Sequence, residues 1–155
     1  VRHSHPGMHV AVFARQPEER AFALELGANW AGGIGEPAPE PLSAIIDTTP
    51  VWSTVVSALN NLAPGGRLVI NAIRKEETDK DALLRLDYPR HLWMEKTIQS
   101  VANVTRADVR EFLALAAAIP LRPEVEEYPL EEANRALHEL KYRRVRGAKV
   151  LRVGY

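Results

Sequence analysis

A short apolar run that ends in an alanine and an arginine gives the first chemical signal in this sequence. Residues 9–15 are His-Val-Ala-Val-Phe-Ala-Arg, and a helical pattern begins at Pro17. The run predicts a buried strand over residues 10–13 that ends at Ala14 and Arg15. In sheets that bind NAD, the equivalent strand ends in an acidic residue that accepts hydrogen bonds from the ribose, whereas an arginine accommodates the 2′-phosphate of NADP. Arg15 is therefore predicted to favour NADP, because a guanidinium offers phosphate a planar fork of donors.

Three further strand ends carry residues suited to the same ligand, since open parallel sheets bind ligands at the carboxyl ends of their strands. The predicted contacts are Thr48, Thr49 and Pro50, then Asn71, Ala72 and Ile73, and then Ser100, Val101, Ala102 and Asn103. Threonine hydroxyls suit a ribose or a phosphate, and small residues let a flat ring approach the backbone. Each set alone also fits an ordinary turn or strand end. The four ends together favour a nucleotide site.

Strands and helices alternate along the chain, which is typical of a parallel sheet covered by helices on both faces. Strands are predicted over residues 10–13, 30–31, 44–47, 67–72, 98–101 and 149–153, and helices over residues 17–26, 52–62, 106–118 and 130–142. Loops are predicted over residues 32–41, which are rich in glycine and proline, and over residues 75–80, a charge cluster expected to be solvated. Thr105 and Asp108 have the spacing of a helix cap. The predicted fold class is α/β, a doubly wound parallel sheet of the Rossmann type that is truncated at its N-terminus.

The composition limits the function classes. The 155 residues are 46% hydrophobic and 26% charged, with 20 basic and 20 acidic side chains and no cysteine. The balanced charge excludes a broad basic surface, so neither nucleic acid nor a membrane is an expected partner. The lack of cysteine excludes disulfides and thiolate chemistry. No apolar run reaches the about 18 residues of a membrane span and no secretion signal opens the sequence, so a cytoplasmic location is expected.

Other candidate motifs carry no chemistry of their own. The glycines at positions 32, 33 and 35 neither follow a long strand nor open a helix, so they are not predicted to form a phosphate loop. The fingerprint Gly-x-Gly-x-x-Gly should follow the first strand of such a fold, and it is expected before Val1. The chain begins at Val1 rather than at a methionine, and a start at Met8 would leave no room before the first strand. We therefore expect a piece of a longer protein. The five histidines form no metal set, and His91, near Trp93, is favoured as a packing residue over the edge of a substrate pocket. No catalytic acid, base or nucleophile is predicted.

Six short segments carry a family pattern: VAVFAR over residues 10–15, ALELGAN over 23–29, APGGRLVI over 63–70, SVANVTR over 100–106, YPLEEAN over 128–134 and GAKVL over 147–151. They resemble the cofactor-binding half of zinc-dependent medium-chain alcohol dehydrogenases, most of all bacterial members of the propanol-preferring type. The resemblance implies hydride transfer between an alcohol or aldehyde, as the small-molecule substrate, and NADP or NAD. It also implies a zinc ion that acts as a Lewis acid. Its ligands, cysteine, histidine and glutamate, belong to an amino-terminal domain, so zinc is expected only outside this chain.

The resemblance assigns roles by position. Ala14 stands where NAD-using members have aspartate, and residues 71–73 and 100–103 fall where members line the nicotinamide. The segment between Leu84 and Tyr88 falls near the edge strand through which members pair, which implies a homo-oligomer. Residues 1–120 are then a truncated dinucleotide-binding domain, and residues 121–155, after a change of character near Pro120, are a return segment towards the catalytic domain.

The sequence departs from the family pattern at one charged position and leaves rival functions open. Members often carry an arginine directly after the final glycine, which reaches the pyrophosphate of the cofactor. That position is Ala148 here, and Arg146 is the expected substitute.

Zinc-free quinone reductases share this half, a methyltransferase domain would fit residues 62–70, and a non-catalytic nucleotide-binding module is a third alternative. Methyltransferases usually need an acidic residue at the end of the second strand, which Ala14 and Arg15 do not supply. The chain alone is expected to be inactive.

Overall fold

The computed structural model describes residues 1, 3–119, 121–142 and 146–154, and in it short parallel strands alternate with helices. These residues form two compact units, Val1–Val104 and Thr105–Tyr155. The boundary predicted at Pro120 lies outside the described residues, and the functional division that it implied stays a prediction. Among the described residues, no helix combines the length and the apolar character that crossing a bilayer requires.

The strands of the first unit form two parallel sheets. They are β1 (Ala11–Phe13), β2 (Trp30–Gly32), β3 (Leu42–Asp47), β4 (Leu62–Ile70) and β5 (Thr97–Ser100). One sheet has the order β1-β2 and the other the order β3-β4-β5, and every strand pair is parallel. The prediction of an α/β fold with parallel sheets is confirmed. The described strands do not join into one sheet, because β1 and β3 are not hydrogen-bonded to each other.

The helices of the first unit are α1 (Pro17–Glu25), α2 (Trp52–Asn61), a short 3₁₀ helix (Lys80–Arg85) and α3 (Tyr88–His91). They pack in different places: α2 covers the larger sheet, α1 packs against β1 and β2, and the 3₁₀ helix and α3 pack against α2. The core consists of Val55 and Leu59 from α2 with Leu62 and Leu68 from β4, and Leu59 and Leu68 are fully buried. Because α2 connects β3 to its parallel neighbour β4, the helix must cross the face of the sheet, and its apolar side covers that face.

The second unit contains one small parallel sheet. Its elements are α4 (Arg106–Ala118), β6 (Val125–Pro129), a 3₁₀ turn (Leu130–Glu132), α5 (Ala133–Tyr142) and β7 (Ala148–Arg152), and β6 pairs with β7 in parallel. The predicted cap of α4 is confirmed, since the Asp108 N–H donates to Thr105 Oγ1 at 3.2 Å while Asp108 Oδ2 accepts from the Thr105 N–H at 2.8 Å.

A buried polar cluster holds the second unit together. The Tyr128 hydroxyl, in a side chain that is 1% exposed, donates to Glu139 Oε2 at 2.7 Å, and Lys149 Nζ donates to the same oxygen at 2.9 Å. Burial alone would lower the pKa of Lys149, but hydrogen bonds to Glu126, Tyr128 and Glu139 outweigh it and raise that pKa. The ammonium of Lys149 therefore stays protonated, and its hydrogen bonds join β6 and β7 to α5.

One sequence-based prediction about a loop is wrong. Lys75 belongs to the cluster predicted to be solvated, yet its side chain is only 10% exposed, because its ammonium pairs with Asp47. The segment between Leu84 and Tyr88 contains the end of the 3₁₀ helix, two residues without regular structure and the first residue of α3. Pro89 favours this helix start because it needs no N–H partner there. The role of the segment in pairing between copies stays a prediction.

The start of α2 is capped from a distant loop. Asp79 Oδ1 accepts from the Trp52 N–H at 3.0 Å, and Asp79 Oδ2 accepts from the Ser53 N–H at 2.8 Å. These backbone hydrogen bonds lower the pKa of Asp79 below its ordinary value of 3.8. The carboxylate satisfies two of the N–H groups that a helix start leaves without partners, and it ties the loop after β4 to the core helix.

We expect Asp79→Ala to destabilise the first unit at neutral pH, because two backbone N–H groups of α2 lose their acceptor. The urea midpoint, followed by tryptophan fluorescence, should fall with little change in slope. The folded-state pKa is lowered, so the stabilisation is present above the ordinary pKa and is lost as the pH falls through the folded value. The difference between wild type and variant should therefore shrink below about pH 4. Asp81→Ala is the matched control, and an equal loss there would contradict the capping role.

Candidate functional site

The first candidate strand end presents an arginine to solvent. The Ala14 N–H still donates to Gly32 O at 3.0 Å, so the ladder between β1 and β2 continues through Ala14 and ends before Arg15. The rings of Phe13 and Trp30 meet edge to face at 5.1 Å, which fixes the two strands. Arg15 is exposed, and within the described ranges no carboxylate forms an ion pair with it.

The second candidate end is organised around a buried ion pair that the sequence analysis missed. Asp47, the last residue of β3, is 6% exposed, and Lys75 Nζ lies 2.5 Å from Asp47 Oδ2. The same ammonium donates to Thr49 O at 2.9 Å and to Val51 O at 3.1 Å. Lys75 therefore clips the loop after β4 onto the end of β3. A carboxylate at the end of an apolar strand needs a partner when it is buried, and that requirement is the signal that could have found the pair.

The hydrogen bonds around Asp47 also determine which threonine faces solvent. Thr49 Oγ1 donates to Asp47 Oδ1 at 2.8 Å and lies 2.6 Å from Thr54 Oγ1, so the Thr49 hydroxyl is engaged inside the protein. Thr48 and Pro50 are exposed, whereas Thr49 is half-buried. Of the two threonines predicted to contact a ligand, Thr48 is the one with a side chain that faces solvent.

The remaining candidate ends in the first unit belong to the neighbouring strands β4 and β5. The Asn71 N–H donates to Asp47 O at 2.8 Å and the Val101 N–H donates to Ile70 O at 3.2 Å, so the ends of β3, β4 and β5 lie side by side. Ile73 is fully exposed. Ala72 is half-buried, while Asn71 and the later set Ser100, Val101, Ala102 and Asn103 are exposed. Asn103 has φ of 64°, the left-handed conformation that asparagine tolerates better than most residues.

Arg146 lies in the second unit, and its guanidinium is already paired. Arg146 Nε lies 2.8 Å from Glu124 Oε2, and both side chains are about half exposed. The contact with a pyrophosphate predicted for Arg146 stays a prediction.

The described residues do not fit a zinc site. No group of three or more histidine, aspartate or glutamate side chains converges in the described ranges, and the chain has no cysteine. His91 is 3% exposed, and its Nδ1 accepts from the Asp87 N–H at 2.8 Å, which is the packing role favoured for it. We assign no metal-dependent step to this chain.

Three comparisons place the chain among known proteins. The family model described as zinc-binding dehydrogenase matches residues 29–151. A curated relative, "Probable alcohol dehydrogenase AdhA" of Mycobacterium tuberculosis (strain CDC 1551 / Oshkosh), is 39% identical over 145 residues. The match covers 94% of this chain and 40% of the relative, so the chain spans well under half of that relative's length.

Solved structures share the fold. Cinnamyl alcohol dehydrogenase SbCAD4 from Sorghum bicolor aligns with a TM-score of 0.72 and 22% identity, over 94% of this chain and 41% of that one. CAD from Helicobacter pylori, complexed with NADP(H), aligns with a TM-score of 0.66 and 21% identity, over 88% of this chain and 38% of that one. At this identity the likeness demonstrates a common Rossmann-like architecture, as predicted from the sequence.

We expect Lys75→Met to destabilise the first unit by about 3 kcal/mol, because Asp47 is left buried without its cation. Urea unfolding measures the loss. Lys80→Met is the matched control, since Lys80 pairs with Glu77 on the surface and exposed pairs contribute about 1 kcal/mol or less. If both lysine variants lose the same small free energy of unfolding, the ion pair between Lys75 and Asp47 is not a structural element of the site.

Proposed function

The chain belongs to the zinc-binding dehydrogenase family, and from that premise we propose that its strand ends bind NADP. In this proposal the chain is the cofactor-binding portion of an enzyme that transfers a hydride between the cofactor and an alcohol or aldehyde. The curated relative is described as an alcohol dehydrogenase and one structural neighbour was solved with NADP(H), which supports both parts of the proposal.

One observation carries the choice of NADP: Arg15 is exposed at the first strand end without an ion-pair partner among the described residues. An aspartate or glutamate at this end would repel a 2′-phosphate, whereas the guanidinium can donate to two of its oxygens. The neighbouring Ala14 is small, so it leaves room for the ribose. NAD lacks the phosphate and gains nothing from the charge. NADP is therefore the preferred cofactor in this proposal, with NAD as the weaker ligand.

The other strand ends supply shape rather than proton transfer. In the proposal Thr48 and Pro50 border the adenosine ribose, while residues 71–73 and 100–103 line the nicotinamide. Ile73 offers a flat ring an apolar contact that excludes water from one side of it. Bound nicotinamide would accept or donate the hydride. No acid or base on this chain is assigned to the alcohol, and the proposal places most of the substrate pocket outside these 155 residues.

The proposal includes the setting in which the enzyme works. The substrate is a small alcohol or its carbonyl product, in keeping with the description of the curated relative. A cytoplasmic location and a homo-oligomeric state remain part of the proposal. The family match favours the dehydrogenase over the methyltransferase alternative. A zinc-free quinone reductase is the remaining rival within the family.

We expect Arg15→Ala to reduce the preference for NADP over NAD by about tenfold, because charge-assisted hydrogen bonds of this kind contribute about 1.5–3 kcal/mol. Equilibrium titration of the 155-residue chain with each cofactor gives the ratio of the two dissociation constants. Arg67→Ala is the matched control, since Arg67 is exposed at the other end of the paired part of β4. An unchanged ratio in Arg15→Ala would reject the selective role.

We also expect the purified chain to show no alcohol oxidation with NADP or NAD, with or without added Zn²⁺. The described residues provide neither a cluster of metal ligands nor an assigned acid or base. The measurement is the absorbance of the reduced nicotinamide in the presence of primary and secondary alcohols. Turnover that copurifies with the chain would refute the proposal that this chain binds the cofactor while another part of the enzyme holds the alcohol.

A further inference from the structure

A cavity of about 240 Å³ lies between α2 and the segment that carries the 3₁₀ helix and α3. One wall is the face of α2 formed by residues 53, 56, 57 and 60, whose spacing places them on one side of the helix. The other wall consists of Arg85, at the end of the 3₁₀ helix, and of Arg90 and His91 in α3. None of the strand ends proposed to bind NADP lines this cavity. It is therefore a separate feature of the first unit.

His91 brings a buried donor without a partner to this cavity. Its Nδ1 accepts from the Asp87 N–H at 2.8 Å, and a neutral imidazole that accepts at Nδ1 carries its proton on Nε2. Nε2 is buried, and within the described part of the chain no group accepts a hydrogen bond from it. Leaving a buried N–H without an acceptor costs free energy. The imidazole therefore indicates that an acceptor belongs in the cavity that this ring lines.

Two guanidinium groups make the cavity positive. Arg85 and Arg90 are exposed, and neither forms an ion pair with a carboxylate of the described residues. No aspartate or glutamate is among the described residues that line the cavity. Two carboxylates approach its rim, and both already accept from backbone: Asp79 from the Ser53 N–H and Asp87 from the Arg90 N–H. The acceptor that suits this cavity is therefore an anion.

The wall formed by α2 adds neutral hydrogen-bonding groups. Ser57 is half-buried and Asn60 is exposed, and both line the cavity. A serine hydroxyl and an asparagine amide can each donate to an oxygen of an anion. Together with the two arginines and the imidazole, these side chains surround the cavity with donors from three separate elements.

We propose that this cavity binds a phosphate group, either as inorganic phosphate or as part of a small phosphate monoester. The two charges of a phosphate dianion match the guanidinium groups of Arg85 and Arg90, and its oxygens can also accept from the Ser57 hydroxyl and from His91 Nε2. Because Nε2 is shielded from water, the exposed arginine side chains change rotamer as the ligand enters, which is a common adjustment on binding. The proposal does not rest on NADP binding, since the two sites share no residue.

Other small ligands fit the cavity less well. A metal cation would be repelled by both guanidinium groups. A monocarboxylate carries a single charge, so it would leave one of the two arginines without a counter-charge. An uncharged molecule would leave both arginines without one. Phosphate therefore satisfies the charge and the donors of the cavity together.

The test is an NMR titration of the full 155-residue chain with inorganic phosphate, at constant ionic strength and at about pH 8, where the dianion predominates. We expect saturable shifts at Nε2 of His91 and at the amides of Ser57, Arg85 and Arg90. Acetate and chloride are the control anions and should produce no saturable shift. Phenyl phosphate distinguishes the two sources: tighter binding than inorganic phosphate indicates a monoester, and equal or weaker binding indicates the free ion. Equal shifts with phosphate and acetate, or no saturable shift with either phosphate compound, overturn the proposal.

Three variants at exposed arginines assign the binding to this cavity. Arg90→Gln should weaken phosphate binding by about tenfold or more, because one charge and its fork of donors are lost. Arg67→Gln is the matched control, since Arg67 is exposed and does not line the cavity, and it should bind within about twofold of wild type. Arg15→Ala should also bind within about twofold, which separates this cavity from the strand end proposed for NADP. Equal weakening by Arg90→Gln and Arg67→Gln, or loss of binding in Arg15→Ala alone, overturns the proposal.

Discussion

Parallel pairing of β3, β4 and β5 is the constraint on which the candidate site depends. Parallel strands place all their carboxyl ends at one edge, and the connection between β3 and β4 must then cross the sheet as a helix. Here that helix is α2, and its Leu59 belongs to the same core as Leu68 of β4. Both side chains are fully buried. The burial of this face fixes the register of the strands. It thereby sets residues 48–50, 71–73 and 100–103 side by side.

Charged side chains then shape the loops that leave this edge. Lys75 draws the loop after β4 back to the end of β3, and Asp79, four residues later, caps α2 from the same loop. The Lys75 ammonium and the Asp79 carboxylate each make more than one hydrogen bond, as a partly buried charge requires. The loop after β4 is thereby held at two points, and at the first strand end Arg15 has no carboxylate partner among the described residues.

The elements of the fold follow from local patterns, and the contacts between distant loops do not. The apolar runs around Ile45 and Leu68, and the Thr105 cap, predict their strands and helix correctly because those signals are local in sequence. Lys75 was misassigned to solvent because its partner Asp47 lies 28 residues away, and a charge cluster normally indicates a solvated loop. Gly32 shows the same limit: a Cβ at this position would lie 2.1 Å from the Trp30 ring, a close approach that no composition rule reveals.

The central claim is that the carboxyl ends of these strands form one nucleotide surface. NMR chemical-shift mapping of the assigned chain with millimolar NADP tests it most directly. We expect the largest shifts at Arg15, Thr48, Ile73 and residues 100–103, with small shifts at Leu42, Arg67 and Thr97 at the other end of the sheet. Shifts concentrated at that other end, or none at the strand ends, would contradict the account.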